Sequence, residues 1–158
     1  MKFKDVYEAA EKVANEFTTE PVDVLLALVP NGVPVAVALN QNRDCLVRGV
    51  FFDRQTSTLN VDLSEIPTSA RIWVVDDGVE SGKAATATGQ HLKQQGFEDI
   101  ALVVPVCAKD AAAQLRLLYK QVKALEQPLM TRALSWHYEQ MPNVDISTAT
   151  EMLKNLSR

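Results

Sequence analysis

Residues 74–83 read VVDDGVESGK, an apolar run that ends abruptly in two aspartates and continues into a glycine-containing turn. The uninterrupted apolar run 72–75, preceded by Arg71, predicts a strand over 71–75 that is covered on both faces of a sheet. The next segment, 82–95, has the spacing of a helix that begins directly after the turn. Because a buried strand, a short loop and a helix form the repeating unit of α/β folds, this stretch decides the architecture.

The same alternation of apolar runs and helical segments extends along the chain in both directions. Pro21 is expected to end the first helix, Gly96 to lie at the C-terminal cap of the helix 82–95, and 148–151 to form a capping box. The pattern predicts a Rossmann-like α/β fold, with a mostly parallel sheet, helices on both faces and a small hairpin. The expected elements are strands at 24–29, 71–75, 100–106 and 122–125, helices at 6–17, 33–40, 82–95, 111–118 and from 146 onward, and a hairpin at 46–52 and 58–62.

Length and charge restrict the kind of protein. The 158 residues suffice for one sizeable core, so we expect a single domain over 1–158. The formal net charge of −4 argues against a protein that holds nucleic acid through bulk positive charge. A small phosphate ligand remains compatible with it, because backbone amides can hold phosphate without a net positive charge.

The two cysteines and the N-terminal sequence are informative about the cellular compartment and about metal binding. Cys45 and Cys107 lie far apart, with only His91 and His137 as further soft ligands, so neither a disulfide framework nor a metal cluster is expected. The N-terminus has no signal-peptide pattern, and the longest apolar stretch, 22–30, is too short to span a bilayer. We therefore expect a cytoplasmic protein with no membrane partner, in which both cysteines are small core residues.

The turn after the strand 71–75 has the features of a phosphate cradle. Ser81 is a competent helix N-cap, and the amides from about 81 to 85 would face the loop without intrahelical partners. Asp76 and Asp77 could accept hydrogen bonds from ribose hydroxyls or hold a hydrated Mg²⁺. From turn chemistry alone, however, the two aspartates could equally end a strand and begin a turn. A Walker A loop is excluded by the three-residue spacing of Gly78 and Gly82, and GxGxxG is absent.

Residues 74–84 resemble the signature of type I phosphoribosyltransferases, in which an apolar strand and two acids precede a short linker, Thr-Gly and a second Thr. The segment 25–36 is similar to the family's pyrophosphate loop and following helix, and is closest to predicted phosphoribosyltransferases whose loop reads PRGGVPVA. The resemblance implies that Asp76 and Asp77 are catalytic and hold the ribose hydroxyls of phosphoribosyl pyrophosphate, together with Mg²⁺. It assigns 5-phosphate binding to Glu80, Ser81, Gly82, Lys83 and Ala84, and pyrophosphate contacts to Asn31 and Gly32.

Three departures from the family pattern leave two functions open. Pro30 and Asn31 stand where that branch has Arg-Gly, Ala84 replaces the second Thr, and the hairpin connection 53–57 is short for a lid. Arg48 and Arg54 are nearby cations that could replace the missing arginine or could be solvated surface charges. The first hypothesis is a phosphoribosyltransferase of nucleotide metabolism, which transfers phosphoribosyl to a nitrogenous base. The second is a non-catalytic protein that binds or senses a nucleotide or ribose phosphate.

The segment 133–138 resembles the family's hood, which stacks and selects the base. The resemblance implies that Trp136 and Tyr138 contact a planar base, although aromatic residues buried against the sheet edge would give the same pattern. An exposed aromatic residue or an edge strand is also a route to a homodimer, which the sequence leaves open. The expected partner is a small phosphoribosyl or nucleotide ligand.

Overall fold

In the computed structural model, which describes residues 2–156, six strands form one sheet in the order β3-β2-β1-β4-β5-β6. Strand β3 runs antiparallel to β2, and all the other neighbouring strands are parallel. The predicted mostly parallel sheet with a hairpin at one edge is therefore confirmed. The strands are β1 Val24–Leu28, β2 Leu46–Asp53, β3 Thr58–Asn60, β4 Ile72–Val75, β5 Ile100–Val106 and β6 Gln121–Glu126.

Helices cover both faces of the sheet, as the sequence predicts. Apolar residues of α1, α2 and α5 belong to one core cluster, and those of α3 and α4 belong to the other. Gly96, at φ +95°, follows the end of α3 in the left-handed conformation expected of a residue just past a helix C-cap. The helices are α1 Val6–Glu16, α2 Val33–Asn40, α3 Lys83–Gln94, α4 Lys109–Leu115 and α5 Ile146–Leu156, with a 3₁₀ turn at Leu134–Trp136.

The central strands read as continuous apolar runs because each of them contributes to both cores. In β1, Leu25 and Ala27 pack with α1 and α2, whereas Leu26 and Leu28 pack with the α3 and α4 side. Every residue of β1, β4 and β5 is buried. Full burial of one such leucine contributes about 1.5–3 kcal/mol, so these strands hold the framework on which the loops are mounted.

The predicted start of α5 is right, but its predicted capping box and both predicted ends of α4 are wrong. Helix α5 begins at Ile146 because the Asp145 carboxylate accepts the N–H of Thr148 at 2.9 Å, so Thr148 lies inside the helix and 148–151 is no capping box. Helix α4 begins at Lys109 and ends at Leu115 rather than spanning 111–118. Its last turn tightens where the N–H of Leu118 bonds to the carbonyl of Leu115, and the chain then turns into β6.

The chain order creates a crevice between β1 and β4. After β1 the chain moves outward to β2 and β3, and it then returns to place β4 on the other side of β1. The loops that follow these two strands therefore diverge at the carboxyl edge of the sheet. In open α/β sheets this switch point is where ligands bind.

Candidate functional site

A cleft of about 880 Å³ lies at the carboxyl ends of β1 and β4. Its walls are the loops after these two strands, the β2–β3 hairpin and part of the segment 127–145, which we call the hood. Several residues singled out from the sequence meet here although they come from distant parts of the chain. The cleft is lined by Asn31, Asp76, Asp77, Glu80, Ser81, Gly82, Lys83 and Ala84, but not by Gly32, Trp136 or Tyr138.

The loop after β4 turns sharply into α3. Gly82 has φ +74°, a left-handed conformation that costs glycine little, and it occupies the N-cap position expected of Ser81. The Ser81 hydroxyl still contributes to the turn, because its oxygen accepts the N–H of Lys83 at 3.4 Å. The Glu80 carboxylate accepts the N–H of Leu134 at 3.3 Å and so joins this loop to the hood.

The same loop presents backbone donors without acceptors. The first intrahelical-type bond in this region runs from the N–H of Thr86 to the carbonyl of Gly82. The preceding amides lie at the positive end of the α3 dipole, where an anion is favoured. Within residues 2–156, no hydrogen bond is made by the N–H groups of Glu80, Ser81, Gly82, Ala84 and Ala85.

Two carboxylates lie beside these amides in a desolvated position. Asp77 is 6% exposed, and its own N–H donates to the Asp76 carboxylate at 2.8 Å. Burial raises the pKa of Asp76 well above its usual range, and the neighbouring Asp77 charge raises it further. Burial also raises the pKa of Asp77, although hydrogen bonds from Asp76 and Asn31 oppose this. A buried acid pair costs stability, which is typical of groups retained for binding or catalysis.

The carboxylate pair is compatible with Mg²⁺ brought by a phosphorylated ligand. Mg²⁺ is commonly held by one or two carboxylates together with phosphate oxygens and waters, rather than by an all-protein cage. Asp76 and Asp77 supply the two carboxylates, and a cation beside them would favour the ionised forms that burial disfavours in both and that the Asp77 charge further disfavours in Asp76. Among residues 2–156 no group of three or more His, Cys, Asp or Glu residues forms a cluster suited to a metal.

The loop after β1 offers fewer donors than the loop after β4. Pro30, joined to Val29 by a cis peptide bond, has no N–H, and the N–H of Gly32 donates to the carbonyl of Leu28 at 2.8 Å. The Asn31 side chain donates to the carbonyl of Pro142 at 3.3 Å and accepts the N–H of Val144 at 3.0 Å. Gly32 therefore supports the loop internally, and Asn31 fastens it to the hood.

The two arginines of the hairpin have different surroundings. Arg54 lines the cleft, and its guanidinium donates to the Ser81 hydroxyl at 3.3 Å, across the entrance from the hairpin to the loop after β4. Arg48 instead donates to the carbonyls of Asp62 and Ser64 at 2.6 and 2.9 Å, outside the cleft lining. Of the two cations, only Arg54 is available to a ligand in the cleft.

The hood places its two predicted base-contacting aromatics away from the cleft. Tyr138 is buried, packs against Phe3 and donates its hydroxyl hydrogen to the carbonyl of Asp77 at 2.7 Å. Trp136 is 62% exposed and lies beneath the guanidinium of Arg132. Tyr138 therefore supports the acid loop from behind, and Trp136 faces solvent. The hood residues that do line the cleft are Leu134, Met141 and Pro142, followed by Ile146 at the start of α5.

The fold is similar to that of several solved structures. The protein TT1426 from Thermus thermophilus matches over 100% of both chains, with a TM-score of 0.80 and 18% identity. The adenine phosphoribosyltransferase APRTase of Giardia lamblia, complexed with 9-deazaadenine, matches 79% of this chain and 80% of its own, with a TM-score of 0.64 and 10% identity. The orotate phosphoribosyltransferase of Aeropyrum pernix matches 77% and 71%, with a TM-score of 0.60 and 19% identity.

The chain has the type I phosphoribosyltransferase fold. This confirms the fold predicted from the signature at 74–84 and from the strand pattern. The sequence itself matches no protein-family model and no curated protein. The structural likeness therefore shows the fold alone. Any activity depends on the residues that line the cleft.

On this phosphoribosyltransferase fold, the remaining reactive side chains lie outside the cleft. Cys107 is fully buried, and burial raises the pKa of its thiol to about 11, as expected of a core residue. Cys45 is half-buried next to the carbonyl of Val22, and burial also raises its pKa. His91 is half-buried in the last turn of α3, and burial lowers the pKa of His137 in the hood. None of these four side chains lines the cleft.

Sequence reasoning missed the apolar hood wall and the bond between Arg54 and Ser81. Both depend on how the hairpin and the hood fold back over the sheet, and neither has a local pattern. The methionine and proline at 141–142 carried a weak signal, because apolar residues in a polar loop are candidates for a binding wall. No helix within residues 2–156 has the length and apolarity needed to cross a membrane.

Proposed function

We propose that the cleft binds the ribose 5-phosphate group of phosphoribosyl pyrophosphate or of a nucleotide. The main support for this proposal is the set of unpaired amides between Glu80 and Ala85, beside the carboxylates of Asp76, which is half-buried, and Asp77, which is buried. Unpaired amides at a helix N-terminus hold phosphate, and carboxylates accept hydrogen bonds from vicinal hydroxyls. A phosphorylated ribose carries both groups at the required proximity, and no conventional nucleophile is needed to bind it.

As an enzyme, the protein would transfer phosphoribosyl to a nitrogenous base. The amides at 80–85 would anchor the 5-phosphate, Asp76 and Asp77 would orient the ribose through its hydroxyls, and the Arg54 side chain would close the entrance. Such catalysis depends on positioning and on stabilising charge as it develops on the ribose. Mg²⁺ held by the ligand and the two aspartates would neutralise the charge of the pyrophosphate leaving group.

Pro30 favours the second candidate, a non-catalytic protein that binds or senses a phosphorylated ribose. Proline has no N–H to donate, and residues 30–33 include no cationic side chain that could hold pyrophosphate. Loss of one charge-assisted hydrogen bond typically costs about 1.5–3 kcal/mol, enough to weaken pyrophosphate binding while the 5-phosphate contacts remain.

Calorimetric titration with ribose 5-phosphate, with nucleoside monophosphates and with phosphoribosyl pyrophosphate plus Mg²⁺ tests the proposal. We expect at least one of them to bind with a one-to-one stoichiometry. Release of pyrophosphate in the presence of a panel of purine and pyrimidine bases would identify a transferase, whereas binding without release would identify a binding protein. Folded protein that binds none of these ligands would contradict both candidates.

Arg54 is expected to contribute to ligand affinity. Replacement Arg54→Ala removes the cation at the cleft entrance, and we expect affinity for a 5-phosphate ligand to fall about tenfold, since charge-assisted hydrogen bonds at partly solvated sites contribute about 1.5 kcal/mol. The matched control is Arg48→Ala, on the same hairpin but bonded to Asp62 and Ser64. Equal losses in both variants would mean that the arginines act through hairpin stability rather than through the ligand.

A further inference from the structure

The two ends of the cleft differ in their capacity to hold negative charge. The loop after β4 offers the unpaired amides of Glu80, Ser81, Gly82, Ala84 and Ala85. In the loop after β1, the N–H of Gly32 is bonded to Leu28, the N–H of Val33 is bonded to Pro30, and Pro30 itself has none. Asn31 is the one residue of 30–33 whose N–H makes no hydrogen bond within the described part of the chain. Among residues 30–33, an anion at this second end would find a single unpaired backbone donor.

Side chains do not compensate for the missing donors. The amide group of Asn31 is engaged at both its nitrogen and its oxygen by Pro142 and Val144 of the hood. Beyond it, Met141, Pro142 and Ile146 form an apolar wall, and Met141 and Ile146 are 53% and 61% exposed. This end of the cleft therefore suits an uncharged, planar or apolar group.

The formal charges of the lining point in the same direction. The cations are Arg54 and Lys83, and both lie at the phosphate-loop end, where Arg54 bonds to Ser81 and Lys83 begins α3. A second phosphate group near Pro30 would share the cleft with Asp76 and Asp77, and the lining residues within 28–31 and 141–146 include no cationic side chain to neutralise it. Like charges held in one cleft repel each other. The carboxylates of the lining are Asp53, Asp76, Asp77 and Glu80.

We propose that this site takes a nucleoside 5′-monophosphate in preference to phosphoribosyl pyrophosphate, an inference that rests on the proposed function. The single phosphate occupies the amides of 80–85, the ribose hydroxyls meet Asp76 and Asp77, and the base lies against the apolar wall of Met141, Pro142 and Ile146. The loop after β1 then contacts the uncharged group attached to C1 of the ribose. Because that group is uncharged, the loop needs neither a cation nor several backbone amides to hold it.

Competing titrations of the wild-type protein test this preference. AMP, GMP, CMP and UMP are compared with phosphoribosyl pyrophosphate, each with and without Mg²⁺, and ribose 5-phosphate serves as the common reference. We expect the tightest monophosphate to bind at least about tenfold more strongly than phosphoribosyl pyrophosphate under both conditions. Equal or tighter binding of phosphoribosyl pyrophosphate overturns the preference and leaves the proposed function standing. Absence of binding by every ligand, ribose 5-phosphate included, refutes the proposed function itself.

Substitution of Pro30 provides an independent test, because it should increase the affinity for phosphoribosyl pyrophosphate. Pro30→Arg restores a cation and an N–H to the loop, and Pro30→Ala, the matched control, restores the N–H alone. We expect the ratio of phosphoribosyl pyrophosphate affinity to AMP affinity to rise about tenfold in Pro30→Arg and by less than about threefold in Pro30→Ala. An unchanged ratio in folded Pro30→Arg contradicts the inference, and the wild-type comparison decides it if that variant does not fold.

Discussion

Replacement of both cleft acids, Asp76→Asn with Asp77→Asn, is expected to weaken ligand binding about 100-fold and to stabilise the folded protein. The loss of affinity follows because two charged acceptors, each contributing about 1.5 kcal/mol or more, would no longer meet the ribose hydroxyls. The gain in stability follows because burial raises the pKa of both groups and the Asp77 charge raises that of Asp76 further, so their ionised forms disfavour the folded state. Relief of strain of this kind at a functional site commonly yields about 0.5–2 kcal/mol.

The stability gain should depend on pH in a defined direction. A carboxyl whose pKa is higher in the folded than in the unfolded protein does not destabilise the fold at a pH below its unfolded pKa. The destabilisation grows as the pH rises from the unfolded pKa toward the folded pKa. Unfolding by denaturant should therefore show a larger advantage of the double variant at pH 8 than at pH 5. The exposed control, Asp44→Asn, should change neither affinity nor the pH dependence. A double variant that is less stable than the wild type at pH 8 would mean that the acid pair stabilises the folded protein.

The largest loss of stability is expected for Gly32→Ala, at the start of α2. A Cβ placed there would lie 2.5 Å from the carbonyl oxygen of Val75 and 2.7 Å from that of Leu28, closer than such atoms can approach. Because both neighbours are backbone atoms of central strands, the strain cannot be relieved by a rotamer change, and we expect a loss of about 3 kcal/mol.

Thermal and denaturant unfolding measure this effect against Gly49→Ala as the matched control. The nearest atoms to a Cβ at Gly49 are the side-chain ends of Leu153 and Val29, at 2.9 and 3.0 Å, which can shift. We expect that variant to lose no more than about 1 kcal/mol. A Gly32→Ala protein as stable as the control would show that the loop after β1 is not held against β4 as described.

The sheet could be predicted from the sequence because its signals are local. Buried strands such as 72–75 and 100–106 are continuous apolar runs, and the helix after the acid pair shows its own period and its C-terminal glycine. The first residue of a helix was harder to predict, since several residues near the terminus can cap the helix. Asp145 rather than Thr148 accepts the capping hydrogen bond of α5, and only the folded backbone decides between them.

The candidate site was only half predictable for a related reason. The acids and amides of 76–85 are contiguous, so their proximity follows from one strand–loop–helix unit. The contact of Asn31 with Pro142 spans 111 positions, and that of Arg54 with Ser81 spans 27. Such contacts depend on how the hood and the hairpin fold over the sheet edge. The same dependence explains why Tyr138 lies behind the acid loop and Trp136 faces solvent, although the motif they belong to suggested a base-stacking role.

Amide-resolved NMR titration with ribose 5-phosphate can show whether the amides between Glu80 and Ala85 hold the phosphate of a phosphorylated ribose. We expect saturable shifts of the backbone resonances of Glu80, Ser81, Gly82, Ala84 and Ala85, with an affinity about 100-fold lower in the variant lacking both acids. Unperturbed resonances at 80–85, or saturable shifts confined to another part of the surface, would contradict it.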